Sequence, residues 1–105
     1  MPPIDIHIPC PDRATAEAIA QALLERRLVA CANIGGPMAS LYRWNGAIER
    51  AEEVPLALKT RSELFEAVAE AAAALHPYDL PAIHAVEAVA ATDAYFSWIL
   101  SETGA

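Results

Sequence analysis

Few side chains in this sequence can do chemistry. Cys10 and Cys31, with His7, His76 and His84, are the nitrogen and sulfur donors that transition metals take, apart from two methionines. A thiolate with an imidazole suits copper or zinc, and His76 with Cys31 is the candidate metal pair. No Cys-x-x-Cys or His-x-x-x-His spacing occurs, so there is no local zinc motif. Cys31 lies inside an apolar run, where a small buried hydrophobe is the plainer reading. Cys10 adjoins Pro11 at a strand end. His76 precedes Pro77, which makes it either a contact in a Pro-fixed cleft or a helix end meeting free carbonyls. His7 and His84 fall on strand-like runs and read as surface or interface residues. Three copies around an axis would also bring one such histidine from each together.

Tyr42 and Trp44 are two apart and share a face of an extended segment. With Tyr78 opposite they would line a cleft between subunits, or simply pack an interface. Lys59 is the one lysine. Paired with Glu52, Glu53 or Asp79 it is structural, and unpaired in a cleft it binds an anion. Glu49, Glu52, Glu53, Glu63, Glu66 and Glu70 read as a solvated face able to hold hard cations weakly. No nucleophile elbow, P-loop or dinucleotide fingerprint is present. His76 with Asp79 is the one tight acid–base candidate.

The elements that must position these groups follow from periodicity. Residues 4–10 alternate, so Ile4, Ile6 and Ile8 face one way and Asp5 and His7 the other. Asp12 is placed to cap a helix with Ala16, Ile19, Ala20, Leu23 and Leu24 on one face, and Arg26 and Arg27 in its last turn. Residues 28–34 are apolar on both faces and predict a central strand. Gly35-Gly36-Pro37 then bends the chain into a further strand over 38–44. Asn45-Gly46 marks a tight hairpin, and the return strand runs 47–60 with Val54, Leu56 and Leu58 inward. Pro55 implies an unpaired or edge position. Ser62 is placed to cap a second helix with Leu64, Val68, Ala71, Ala72 and Leu75 inward, ended by His76-Pro77. A fourth strand is predicted over 83–91 and a last helix after Thr92 or Asp93.

The order β-α-β-β-α-β-α is the split βαβ pattern: an α+β, ferredoxin-like antiparallel sheet with two helices on one face and a short C-terminal helix. At 105 residues the chain is one domain, 1–105. A strand from 28 to 44 spans roughly 55 Å, against a diameter near 35 Å for a compact domain of this length. The hairpin must therefore protrude, and its Leu41, Tyr42, Trp44 and Ile48 call for another subunit. A homo-oligomer exchanging hairpins is expected.

The net charge is −7 and the pI about 4.7. That argues against nucleic acid and anionic membrane as partners. No apolar run approaches the roughly 20 residues of a membrane span. The segment MPPIDIH has no basic n-region or apolar h-region, so no signal peptide is expected. With two cysteines the default is a reduced, cytoplasmic protein.

Five blocks occur in order: ACANI at 30–34, SLYRWNG at 40–46, E-x-x-x-L-x-L-K-T over Glu52–Thr60, HPYDLPAI at 76–83 and YFSWI at 95–99. Together they resemble the CutA divalent-cation tolerance family over nearly the whole chain. The resemblance implies a ferredoxin-like protomer in a tight homotrimer like those of PII signal proteins. It also implies a link to divalent metal tolerance, copper most often, and no established enzymatic activity. The implied ion is Cu²⁺ or another divalent cation, not required for folding. The sequence departs from the family pattern at Ala82, where many members carry Glu. Cys10 lies two positions later than the family's first-strand Cys, and Leu75 stands where a second His can precede the Pro.

The expected function is therefore a trimeric binding protein, not an enzyme. A metal ion or small ligand would sit at inter-subunit clefts built from Tyr42, Trp44, Lys59, His76 and Tyr78. The alternatives are a small enzyme with an interface site using His76 and Asp79, or a purely structural or PII-like signalling trimer.

Overall fold

A computed structural model of the chain describes residues 2–104. Strand β1 covers Pro3–Cys10, helix α1 Arg13–Glu25, β2 Cys31–Ile34, β3 Met38–Trp44 and β4 Ala47–Arg61. A 3-10 turn over Ser62–Leu64 leads into α2, Phe65–Leu75, followed by β5, His84–Glu87, and α3, Asp93–Glu102. The sheet order is β2-β4-β1-β5, all antiparallel, with β3 paired to the far half of β4. This is the ferredoxin-like α+β arrangement.

The alternation in β1 sends Ile4, Ile6, Ile8 and Cys10 inward. Val54, Leu56, Leu58 and Thr60 of β4 join them. They meet Ala16, Ile19 and Leu23 of α1 and Val68, Ala71 and Ala72 of α2 in one core. Each large aliphatic side chain buried there stabilises the fold by about 1.5–3 kcal/mol. Asp5, His7, Pro9, Pro55, Ala57, Lys59 and Arg61 alternate onto the opposite face. The C-terminal segment grips that face at one end, where the Arg61 guanidinium donates to the Thr103 carbonyl at 3.1 Å.

The bend at Gly35-Gly36-Pro37 is a bulge. Ile34 pairs with Leu56 and Met38 with Glu53, so three residues lie opposite two. The Gly35 N–H donates to the Pro55 carbonyl at 3.0 Å. Pro55 therefore sits in the central strand, with its missing N–H directed at the bulge, where no regular ladder bond is lost. A Cβ on Gly35 would stand 2.7 Å from the Pro55 ring. At the hairpin tip Asn45 has φ 49° and Gly46 φ 80°, the left-handed pair a two-residue turn requires.

Five expectations are corrected. The strand over 28–34 shortens to Cys31–Ile34 and lies at the sheet edge. Arg27 is the cause: its φ of 58° closes α1, with Leu28 N–H bonded to Leu23 O and Arg27 N–H to Leu24 O. Arg26, the C-cap, and Arg27 are thus both outside the last turn of α1, and the Arg27 guanidinium donates instead to the Ser101 carbonyl of α3 at 2.7 Å. Ser62 makes no capping bond and opens the 3-10 turn. Leu75 points outward, about half exposed. The strand over 83–91 ends at Glu87 because its partner β1 begins at Pro3, whose carbonyl accepts the Ala88 N–H.

Candidate functional site

A cavity of about 500 Å³ lies between the β3–β4 ribbon and the loop after α2. The ribbon wall follows from register. Ser40, Tyr42 and Trp44 share one face of β3. Glu49 lies opposite Tyr42, and Glu53 opposite Met38. Alanines stand opposite Ser40 and Trp44, at Ala51 and Ala47, and add little bulk to that face. The loop wall is Tyr78, Asp79, Leu80 and Ala82, and Pro9 forms the floor.

His76 sets the loop wall. It caps α2 in an extended conformation, and Pro77 keeps the helix from continuing. Its Nδ1 accepts the Tyr78 N–H at 3.2 Å, which leaves the proton on Nε2 to donate to the Pro9 carbonyl at 2.9 Å. The ring meets Tyr78 edge-on, centroids 4.6 Å apart. The Tyr78 hydroxyl then donates to Glu53 Oε2 at 3.0 Å. Burial, and next the Glu53 contact, push the Tyr78 phenol up to about 12, so it remains a donor at neutral pH. Glu53 is only 8% exposed, the one buried carboxylate among the described residues.

The structure thus brings Tyr42, Trp44 and Tyr78 together in one cleft and places His76 directly behind it. Lys59 is not there. It lies on the open face of β4 with Nζ 2.7 Å from Asp5 Oδ2, a partner other than Glu52, Glu53 or Asp79. Nor do His76 and Cys31 meet. Cys31 pairs with Lys59, four residues along β4 from the Pro55 that faces Pro9. That offset is roughly 13 Å. Cys10 is fully buried, and burial, with the Asp12 and Glu53 charges, pushes its thiol up to about 11. It is a core hydrophobe. Both His76 nitrogens are committed to backbone groups, so an acid–base pair with Asp79 is not assembled.

Sequence reasoning placed Glu53 and Glu49 on a solvated face able to hold hard cations weakly, and not in the cleft they line. Glu53 reads as solvated because an even count along β4 puts it with Glu49 on an open ribbon. The loop that lands on it comes from 25 residues further on. The signal available was the Glu49/Tyr42 register fixed by the Asn45-Gly46 turn.

Fold and cleft together define a class: a ferredoxin-like α+β protein with a long ribbon and an aromatic, carboxylate-lined cleft at the ribbon's base. The pattern of the CutA1 divalent ion tolerance protein family matches residues 4–102, and the chain belongs to that family. It is 40% identical over 100 residues to the divalent-cation tolerance protein CutA of Pyrococcus horikoshii, covering 95% of this chain and 97% of that one. The solved structure of the Thermus thermophilus divalent cation tolerance protein superposes with a TM-score of 0.94 at 36% identity, covering 97% and 99% of the two chains. The CutA structure from Xylella fastidiosa gives 0.95 at 36% identity, covering 99% and 100%. The chain is thus a divalent-cation tolerance protein by family. None of these relatives carries an enzymatic name. No helix among the described residues is long and apolar enough to cross a membrane.

Proposed function

We propose that this protein is a homotrimeric cation-binding protein of the cytoplasm. In this reading the cleft at the ribbon base, closed by a neighbouring subunit, takes a divalent ion or a small cationic ligand. The observation that carries the reading is the chemistry of the cleft wall. Glu49, Glu53 and Asp79 line it, with Tyr42 and Tyr78 and, among the described residues, no lysine, arginine or histidine. Oxygen donors and a negative field favour cations. At a given site of such donors Cu²⁺ binds more tightly than Zn²⁺.

Among the described residues no three His, Cys, Asp or Glu side chains stand close enough to hold an ion. A protomer alone therefore supplies an incomplete ligand set, which is what a cleft completed by a second copy requires. The two cysteines are free thiols, in keeping with a reducing compartment.

Titration calorimetry with Cu²⁺ and Zn²⁺ tests this. Wild type is expected to bind Cu²⁺ more tightly than Zn²⁺. Glu49→Gln, which keeps the shape and removes a charge, is expected to weaken both by about tenfold or more, since even outer-shell partners are worth 10–100-fold. Identical heats from the variant and the parent would discard the cleft as the ion site.

A further inference from the structure

We propose that the cleft at the ribbon base takes a linear aliphatic polyamine, a carbon chain with an ammonium group at each end. This narrows the cation reading of the cleft, on which it rests, to one ligand class. Register lays out the ribbon wall in rows. Tyr42 pairs with Glu49, Ser40 with Ala51 and Met38 with Glu53, so Glu49 and Glu53 share one face of β4 four residues apart. That separation is roughly 13 Å along the strand. Between the two carboxylates, Ser40 and Ala51 leave a trough with little side-chain bulk. Tyr42 and Trp44 stand on the ribbon side, and Tyr78 crosses from the loop to donate its hydroxyl to Glu53 Oε2 at 3.0 Å. Glu53 is only 8% exposed, and its other oxygen has no hydrogen-bond donor among the described residues. A buried carboxylate on the cavity wall is thus half satisfied, which calls for a donor from a ligand.

The wall suits a cation with a carbon body better than a bare ion. The cavity of about 500 Å³ is many times the ~30 Å³ share of one water molecule. Most of its lining is carbon, from Pro9, Tyr42, Trp44, Tyr78, Leu80 and Ala82. Among the described residues no three His, Cys, Asp or Glu side chains stand close enough to hold one ion. The carboxylates are spread instead, and they match a ligand whose own charges are spread. A chain of nine bonds, each about 1.5 Å and zigzagging at tetrahedral angles, reaches about 11 Å between its end nitrogens. Its two ends then meet Glu49 and Glu53, with the flexible Glu49 side chain taking up the difference. Methylenes beside an ammonium share its positive charge, so the chain between the ends lies favourably against the faces of Tyr42, Trp44 and Tyr78. Asp79 adds a further carboxylate on the loop wall.

The test is titration calorimetry of the whole chain at about 0.15 M ionic strength, where distant surface charges are screened. The titrants are spermidine, 1,8-diaminooctane, putrescine and, separately, Cu²⁺. One spermidine per cleft is expected. 1,8-Diaminooctane has the same nine bonds between its ends and should bind within about tenfold of spermidine. Putrescine is too short to reach both carboxylates and should bind about tenfold or more weaker. Glu49→Gln should weaken spermidine by about tenfold or more. Trp44→Leu keeps every charge and should weaken it by about tenfold through the lost aromatic face. Tyr42→Leu serves where Trp44→Leu changes the assembly. Glu66→Gln removes an equal charge in the first turn of α2, the end away from the cleft, and should leave binding unchanged. No spermidine heat, or equal affinity in the parent, Glu49→Gln and Trp44→Leu, overturns the polyamine site. Equal losses from Glu66→Gln and Glu49→Gln overturn it too, since they would show attraction to the net charge of −7 alone. Cu²⁺ separates this ligand from the broader reading. Cu²⁺ bound and weakened by Glu49→Gln, with no spermidine heat, leaves the cleft a metal site and discards the polyamine. Spermidine bound where Cu²⁺ gives no heat supports the polyamine, and silence from both titrants removes both.

Discussion

Tyr78 couples the cleft to the protonation of the fold. Its phenol, the Cys10 thiol, the Tyr95 phenol and the Lys59 ammonium all hold their protons more tightly in the folded chain. Burial dominates for Cys10 and the two tyrosines, and the bond to Asp5 for Lys59. Folded values above unfolded ones mean that unfolding releases protons on the alkaline side. Stability is therefore full below pH 9, the ordinary thiol value, and falls as pH rises towards the folded values of about 11 for Cys10 and about 12 for Tyr78. Urea midpoints of reduced protein between pH 8 and pH 12 should show this decline. Tyr78→Phe should make it shallower between pH 10 and pH 12. It should also destabilise the neutral protein by about 1–3 kcal/mol, because the buried Glu53 oxygen loses its donor. A variant with the parent's midpoint at pH 7 and an equally steep decline would contradict the role given to this bond. At this scale the aromatics were legible, since Tyr42 and Trp44 need only the two-residue repeat of a strand. The partners of Lys59 and Glu53 were not. Both depend on contacts between segments 54 and 25 residues apart, and no local pattern encodes these.

The elements best read from sequence are those with their own stop and start chemistry. Asp12 accepts the Thr15 N–H at 2.8 Å, and Thr92 accepts the Tyr95 N–H at 3.3 Å, each satisfying a donor the first helical turn leaves free. Asp12→Ala is expected to lose stability, seen as a lower thermal midpoint. Asp12→Asn should recover most of it, and a variant as stable as the parent would show the cap to be without consequence. The same bond holds the Asp12 carboxyl below its ordinary value, so its share of stability is present above pH 3.8 and fades on acidification. The misread elements are those whose limits are set by a neighbour. The last strand stops where β1 runs out of partners. The second strand starts late because Arg27 takes a left-handed conformation normally left to glycine. It is held there by bonds from its backbone and guanidinium to residues 101 and 104. A serine before a helix reads as a cap, yet Ser62 bonds Glu63 instead.

On the scale of the whole molecule, β4 is the governing dimension. Its 15 residues reach roughly 45–50 Å, matching a longest extent of 45 Å against 27 and 23 Å across. The outer half of β4 and its partner β3 extend past both core helices, as the length arithmetic requires. One face of that ribbon carries Tyr42 and Trp44 over the cleft. The other carries Leu41 and Ile48, 64% and 69% exposed. A two-stranded ribbon with apolar side chains on both faces has too little of its own to pack against in water. Covering Leu41 and Ile48 with another copy would return about 1.5–3 kcal/mol for each side chain fully buried. Light scattering at micromolar concentration is expected to give a mass near three times the 11.2 kDa of the chain. The double variant Leu41→Lys, Ile48→Lys should move it towards the single-chain value while keeping the far-ultraviolet dichroism of the folded sheet. Both positions lie outside the core, so folding and assembly are separable in this variant. A variant that keeps the parent's mass would place the contact elsewhere, with the exposed Tyr95, Trp98 and Leu100 of α3 the next surface to alter. A wild-type chain that runs alone would leave the ribbon unexplained and the cleft open on one side.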